Sequence, residues 1–399
     1  MSETRTRAEN ANAESGSVSE HPSILKARFH KHRTHSAQSF VLEVDFEAAS
    51  GFTILFGASG AGKTTLLDCV AGLIPPDSGQ IQIGARRLFD SVQNIDLPVA
   101  KRRTGYVFQG LALFPHMTVE QNVMYGLNHL PQEVGAESTQ QILQAFRIAH
   151  LARRKVSQIS GGESHRVALA RTLVTDPEVL LLDEPLAALD APTKAYIIDD
   201  LREWNRIHQI PILYVTHGRE EVFALGERVI VLQDGRIVAQ GTPHEVMTAP
   251  RQETVAQLAG FENIFDAVVE AAHPERGTMV CRLSAEHRAL PEQNPPVFIE
   301  TPLVRAEVGS ELRVGIRAGD ILLAVSSPAG LSARNAIPGQ ITAVEQRDLM
   351  IIARVDCGVE MEVHVTLAAR DSLDLKPGRD VWLVIKTHSC HLMQKPFKG

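Results

Sequence analysis

One glycine-rich stretch constrains this chain more than any other: Gly57-Ala58-Ser59-Gly60-Ala61-Gly62-Lys63-Thr64-Thr65. An apolar run, Thr53-Ile54-Leu55-Phe56, leads into it, and a helix-like segment, Leu66-Leu67-Asp68-Cys69-Val70-Ala71, follows. Strand, glycine loop, Lys-Thr and helix is the order a phosphate cradle needs. Glycines let successive backbone N–H groups turn toward one anion with no Cβ in the way. The helix beginning there adds its unpaired amides and the positive end of its dipole. Lys63 is placed to reach the β- and γ-phosphates, and the Thr64 hydroxyl to ligate the accompanying Mg²⁺. A plain glycine turn would not need both this spacing and these flanking elements. The stretch predicts a nucleotide site.

The chain has 399 residues, 44% of them hydrophobic and 22% charged, with a net charge of −7. That is room for two or three domains, each with its own core. Without a large positive excess, nucleic acid is not an expected partner. No apolar run reaches the roughly 18 residues of a bilayer span, and residues 1–20 lack the apolar centre of a secretory signal. A role in membrane transport would therefore be exercised from the cytoplasmic side, docked on other subunits. Cys69, Cys281, Cys357 and Cys390 are scattered and form no C-x-x-C pair, which fits free thiols in a reducing compartment.

Residues 1–20 read as a disordered leader rich in Ser, Glu, Asn and Ala. His21, His30, His32 and His35 invite a metal reading, but the alternation Phe40, Leu42, Val44, Phe46 favours a surface hairpin. From 51 to 249 apolar strands alternate with helices, as in an α/β sheet. The strands are expected at 53–56, 105–108, 179–183, 212–216 and 228–232, and a helix at 190–208 with Ile198, Leu201 and Trp204 on one side. Residues 111–155 carry no strand signal and read as a helical insertion. Past Phe261 short β-type runs separated by Pro, Gly and charge predict an all-β tail. The tail looks doubled: segments at Asn263 and Asn335 each open a half, and segments ending near Arg317 and Lys386 each close one.

The run Val179-Leu180-Leu181-Leu182-Asp183-Glu184-Pro185 is apolar throughout and ends in two acids. Such a strand is buried on both faces, so its end lies at the carboxyl edge of a parallel sheet, where ligands bind. Asp183 is placed to hold Mg²⁺ through water, and Glu184 to polarise a water for in-line attack on the γ-phosphate.

Ile159-Ser160-Gly161-Gly162-Glu163, continuing into Arg166-Val167-Ala168-Leu169-Ala170-Arg171, resembles the signature motif of ABC-transporter ATPases. Gln109 resembles that family's Q-loop, Leu186-Ala187-Ala188-Leu189-Asp190 its D-loop, and His217 its switch histidine. The ordered motifs span roughly residues 22–250. The resemblance implies a P-loop NTPase fold with a helical subdomain, and ATP hydrolysis with Glu184 and His217 as the catalytic pair. ATP would lie on residues 57–65 and Gln109, with Mg²⁺ on Thr64, Gln109 and Asp183. It further implies a head-to-tail homodimer in which Ser160, Gly161, Gly162 and Glu163 close on the γ-phosphate held by the partner chain. The helical insertion would contact integral-membrane permease subunits. The family pattern is broken at Ile159 (usually leucine), at Ser164-His165, and at Gly218, where an acid often follows the switch histidine. No clear aromatic stands where the family stacks adenine, leaving Phe40 and His35 as candidates.

Residues 111–127 are similar to those of bacterial importer ATPases of the oxyanion, iron and sugar group. In the tail, Ser332-Ala333-Arg334-Asn335-Ala336-Ile337-Pro338-Gly339, with Ile385-Lys386-Thr387, resembles the molybdate-binding (mop) form of the transport-associated OB domain. An oxyanion wants amides, a hydroxyl and a cation or two in a small rigid pocket, and Ser332, Arg334, Asn335 and Lys386 supply those types. A purely structural β domain is the alternative. The expected plan is thus a leader at 1–20, an ABC ATPase domain at 21–250 with its helical subdomain at about 111–165, a linker at 251–262 and an OB-like tail at 263–399, its mop-like unit at about 331–395. The function it implies is ATP-driven import of molybdate, or tungstate, at the cytoplasmic face of the cell membrane, fed by a periplasmic or surface binding protein. Sulfate, iron(III) or polyamine import remain open alternatives, as does a soluble non-transport ABC ATPase.

Overall fold

The computed structural model describes residues 24–393 apart from 36–37, 128–130, 188, 249, 251–252 and 285–295. The leader at 1–20, His21 and parts of the D-loop, linker and tail lie outside the described residues, as does the side chain of His35. The chain divides into two compact units, residues 1–238 and 239–399.

The first unit is built on a mixed sheet. Its strands are β1 (Leu25–His35), β2 (Gln38–Ala48), β3 (Gly51–Phe56), β4 (Ser78–Ile83), β5 (Arg86–Asp90), β6 (Ile95–Asp96), β7 (Thr104–Val107), β8 (Val179–Asp183), β9 (Pro211–Val215), β10 (Arg228–Gln233) and β11 (Arg236–Gly241). Their spatial order is β6-β5-β4-β1-β2-β11-β10-β3-β9-β8-β7. From β10 to β7 every pairing is parallel, and β3, β8 and β9 are buried along their whole length. That is why these strands read as unbroken apolar runs.

The hairpin of β1 and β2 is more than the surface feature expected from its histidines. It pairs antiparallel along both strands, and β1 also pairs with β4. Leu25, Ala27, Phe29, Leu42, Val44 and Phe46 are buried in one core with Leu66, Leu67, Cys69 and Val70 of the helix Lys63–Ala71. His30 and His32 fall on the opposite, solvent-facing side, as period-two alternation requires.

The helix Lys63–Ala71 is held at both ends. Gly62 (φ 104°) precedes it, and Gly72 (φ 82°) closes it with its N–H on the carbonyls of Asp68 and Cys69. The fully buried Arg102 guanidinium donates to the carbonyls of Cys69 and Val70 and pairs with Asp96, a cation at the negative end of the helix dipole. Between β7 and β8 lie the helices Val119–Met124, Gln132–Ala145 and Gly161–Leu173. The helix Ala191–His208 starts where Asp190 accepts from the Thr193 N–H, and buries Ile198, Leu201 and Trp204.

The second unit holds two antiparallel five-stranded sheets over one core. Its strands are β12 (Asn263–His273), β13 (Thr278–Ser284), β14 (Val297–Pro302), β15 (Glu311–Ile316), β16 (Ile321–Ala324), β17 (Asn335–Arg347), β18 (Met350–Asp356), β19 (Glu360–Thr366), β20 (Asp380–Ile385) and β21 (His391–Met393). The sheet orders are β14-β13-β12-β15-β21 and β16-β20-β17-β18-β19. The doubling is written into the pairing. Asn263 opens β12 opposite Ile316 at the end of β15, and Asn335 opens β17 opposite Ile385 at the end of β20. Both opening strands carry a register shift at matching places, Val269/Ala271 and Ile341/Ala343.

Candidate functional site

Four adjacent parallel strands deliver the candidate residues from their carboxyl ends. β3 leads into the glycine loop, β9 into Thr216 and His217, β8 ends in Asp183 and runs on to Glu184, and β7 leads to Gln109. This is the edge at which an open α/β sheet binds its ligand.

Within the loop, Gly57 (φ 151°), Gly60 (φ 81°) and Gly62 (φ 104°) hold backbone angles that side-chain-bearing residues rarely adopt. Lys63 Nζ donates to the carbonyls of Gly57 and Ala58, each at 2.9 Å, so the ammonium spans the loop it will share with an anion. Burial presses the Lys63 pKa below its ordinary value, while the charges of Glu184 and Asp183 oppose that. The Asp183 carboxyl is shifted upward, chiefly by burial, against a hydrogen bond from the Thr64 hydroxyl. Ala58, Ser59, Ala61 and Thr65 complete the loop; Thr65 Oγ1 accepts from Arg33 Nη1 at 3.2 Å.

Glu184 sits at a left-handed backbone position (φ 48°), with its N–H on the Val215 carbonyl at 3.1 Å. That turn carries its side chain between two neighbours. His217 Nε2 lies 2.9 Å from Oε1, and the Gln109 carboxamide donates to Oε2 at 3.1 Å. Three residues widely separated in sequence thus meet on one carboxylate.

Ser160 caps the helix Gly161–Leu173. Its hydroxyl accepts from the Glu163 N–H, and Glu163 Oε2 accepts from the Ser160 N–H at 2.7 Å and from the Ser160 hydroxyl at 2.9 Å. Ser160 and Gly161 are exposed at the start of this helix, where backbone amides can face an anion; the Ser160 N–H is held by Glu163. His165, one of the departures from the family pattern, bonds the Pro185 carbonyl through Nδ1, tying this helix to the residue after Glu184.

Phe40 is engaged beneath the loop. A Cβ on Gly62 would meet Phe40 Cζ at 2.7 Å, and the ring packs against the β1–β2 core.

In the second unit, the register Asn335↔Ile385 brings Asn335, with its neighbour Arg334, to the sheet end that Lys386 also borders. Ser332, Arg334 and Lys386 are exposed. Asn335 is buried, and its amide is already committed: Oδ1 accepts from the Glu300 N–H at 2.6 Å and Nδ2 donates to the Glu300 carbonyl at 2.9 Å. Of the four residues chosen as oxyanion donors, three face solvent and the fourth clasps a strand.

Sequence reading missed Arg33 at Thr65 and the group around Glu221, which accepts from Tyr214, Thr216 and Lys194. In the sequence Arg219-Glu220-Glu221 looks like an ordinary solvated helix start, and nothing local marks the second acid as buried.

Residues 42–187 match the ABC transporter family, and residues 331–392 match the TOBE domain. A curated relative in Rhizobium meliloti (strain 1021), named "Molybdenum import ATP-binding protein ModC", is 37% identical over 358 residues, covering 88% of this chain and 95% of the relative. The chain belongs to the ABC transporter ATP-binding family. Proteins of the same name in Rhodospirillum rubrum and Vibrio cholerae are 36% and 34% identical over 355 and 352 residues, covering 87% and 86% of this chain and 93% and 92% of the relatives. A solved structure, cbiO1 from Clostridium perfringens, described as part of the ABC transporter complex cbiONQ, is 30% identical with a TM-score of 0.51, covering 57% of this chain and 92% of that one. As an ABC ATPase this protein binds and hydrolyses ATP, and the TOBE match falls on the doubled β unit. Among the described residues no helix is long and apolar enough to cross a membrane.

Proposed function

We propose that this chain is the ATP-hydrolysing subunit that energises import of molybdate. One observation carries the hydrolytic half: Glu184 is fixed between His217 and Gln109 at the sheet edge that also presents Lys63, Thr64 and Asp183. A carboxylate held on both oxygens is oriented for one task, accepting a proton from the water that attacks the γ-phosphate. His217, on the same carboxylate, keeps it in place and hydrogen-bonds the departing phosphate. Lys63 and the loop amides of residues 57–65 bind the phosphates. The Thr64 hydroxyl, the Asp183 carboxylate and the Gln109 carboxamide are hard oxygen donors of the kind Mg²⁺ takes, and the first two are already hydrogen-bonded to each other. Bound there, Mg²⁺ would neutralise charge on the β- and γ-phosphates.

Ser160, Gly161, Gly162 and Glu163 act on the nucleotide of a second copy of the chain, so the working form is a homodimer with two shared sites. Residues 21–250 form the ATPase domain and residues 263–399 the OB-like domain. The helical segment 111–165 docks on membrane permease subunits, which places the protein peripherally on the cytoplasmic face, served by a separate substrate-binding protein. The cargo rests on the molybdenum import relatives and on the TOBE match.

The hydrolytic reading is tested with purified Glu184→Gln. Hydrolysis is expected to fall to background while ATP still binds, and undiminished turnover would refute it. The cargo is tested by uptake of labelled molybdate into cells lacking the protein. Uptake from low molybdate is expected to collapse and to return with the wild-type chain but not with Glu184→Gln; unaffected molybdate uptake would point to another cargo.

A further inference from the structure

Behind His217 lies a buried polar relay that touches neither the phosphate loop nor Glu184 in the hydrogen bonds it makes. Glu221, on the helix Arg219–Leu225, is 6% exposed. Its Oε2 accepts from the Tyr214 and Thr216 hydroxyls, both at 2.8 Å, and its Oε1 from Lys194 Nζ at 2.9 Å. Thr216 Oγ1 in turn accepts from the Gly218 N–H at 2.9 Å. Thr216 and Gly218 flank His217, so the backbone that aims the imidazole hangs from this carboxylate on both sides. Lys194 belongs to the helix Ala191–His208, capped by Asp190 of the D-loop-like segment.

The two helices are not sealed by packing at this point. A cleft of about 530 Å³, lined from both by Ala191, Ala195, Ile198 and Ala224, opens between them, and Lys194 and Glu221 line it too. The ammonium–carboxylate bridge lies in the wall of that cleft and joins the two helices across it. A buried carboxylate with three donors is a rigid fixture, whereas its loss would leave two hydroxyls and an ammonium without an acceptor.

We infer that Glu221 is a positioning residue for His217, and that Lys194 makes it answer to the helix that follows the D-loop. A shift of that helix on closing over nucleotide pulls on Lys194, and through Glu221, Thr216 and Gly218 reaches the imidazole. This rests on His217 acting on the γ-phosphate. In Glu221→Gln an amide NH₂ must face either the Lys194 ammonium, which is repulsive, or the two hydroxyls, where it competes with the Gly218 N–H for Thr216 Oγ1. Lys194→Met removes the bridge from a partly exposed position and leaves the core intact.

The test is steady-state ATPase kinetics of the full chain with Mg-ATP, beside ATP affinity and thermal unfolding, for Glu221→Gln, Lys194→Met and the double variant. Each single change is expected to lower kcat about tenfold, the scale of a slightly misplaced catalytic group, with KM and ATP affinity within about twofold. The double variant is expected to be no slower than the slower single, because both act through one bridge. An unchanged kcat in Lys194→Met overturns the proposal, and that variant decides alone if Glu221→Gln does not fold. Multiplicative losses in the double variant, or a fall in ATP affinity matching the fall in kcat, overturn it equally. Glu184→Gln measured alongside separates this failure from a failure of the hydrolytic reading, which only its own residual turnover would reveal.

Discussion

His217 Nε2 stands 2.9 Å from Glu184 Oε1. The contact joins the ends of two neighbouring parallel strands, β9 and β8, whose register brings Val215 opposite Asp183. The backbone adds its own tie through the Glu184 N–H and the Val215 carbonyl. Truncating the imidazole leaves these backbone bonds in place, so it removes one interaction from a site that otherwise keeps its shape. His217→Ala is expected to lower kcat by about two to three orders of magnitude, while ATP affinity changes by no more than a few-fold. Single-turnover hydrolysis beside equilibrium nucleotide binding measures both.

Gly62→Ala is expected to abolish nucleotide binding for two separable reasons. The backbone angle of φ 104° is one that alanine adopts only with strain, and the new Cβ would lie 2.7 Å from Phe40 Cζ. Phe40→Leu clears part of the ring but leaves the angle as it was. The double variant is therefore expected to regain little binding, and a full recovery would show that the ring alone set the constraint.

His165 gives the first unit a pH dependence whose sign follows from its surroundings. Burial lowers its pKa from 6.5, against the hydrogen bond to the Pro185 carbonyl. The unfolded chain then binds this proton more readily than the folded one. Its contribution to stability is present above about pH 6.5 and is lost as pH falls below that value. His391, in the second unit, is displaced in the same direction, mainly by burial, so the difference between wild type and His165→Gln is the informative quantity. Gln retains an N–H donor for Pro185 and does not titrate. Denaturant unfolding is expected to lose stability less steeply for His165→Gln than for wild type between pH about 6.5 and 5.

The phosphate loop and the strand end at Glu184 were legible in the sequence because each is a contiguous segment whose spacing is itself the geometry. The strands at 179–183 and 228–232 and the helix at 190–208 were legible for a related reason: burial on both faces or on one side leaves a periodicity. Pairings across distance were not. Glu221 resembles its exposed neighbour Glu220 until Tyr214, Thr216 and Lys194 are brought around it. The hairpin of β1 and β2 reads as a surface feature because the partner that buries its apolar face, the helix Lys63–Ala71, is invisible in the alternation itself. By residue type Asn335 reads as an oxyanion donor, whereas its amide is committed to a strand 35 residues earlier in the chain.

That commitment has a twin. Asn263 clasps Glu362 as Asn335 clasps Glu300: the Glu362 N–H donates to Asn263 Oδ1 at 2.7 Å, and Asn263 Nδ2 donates to the Glu362 carbonyl at 2.8 Å. Asn263 belongs to the first half of the β unit and reaches β19 of the second, while Asn335 belongs to the second and reaches β14 of the first. Each asparagine thus ties its own half to the other, at the position where its strand begins. Replacing either by alanine leaves one part-buried N–H and one part-buried C=O without a partner, at a cost of up to about 1–3 kcal/mol for each group. Asn263→Ala and Asn335→Ala are therefore expected to destabilise the β unit by similar amounts, and Asn335→Asp to do so as well, because its carboxylate accepts from the Glu300 N–H but has no donor for the carbonyl. Urea unfolding followed through Trp382, which lies on β20 of that unit, reads the loss. An Asn335→Ala protein as stable as wild type would return that side chain to the pool of candidate anion ligands.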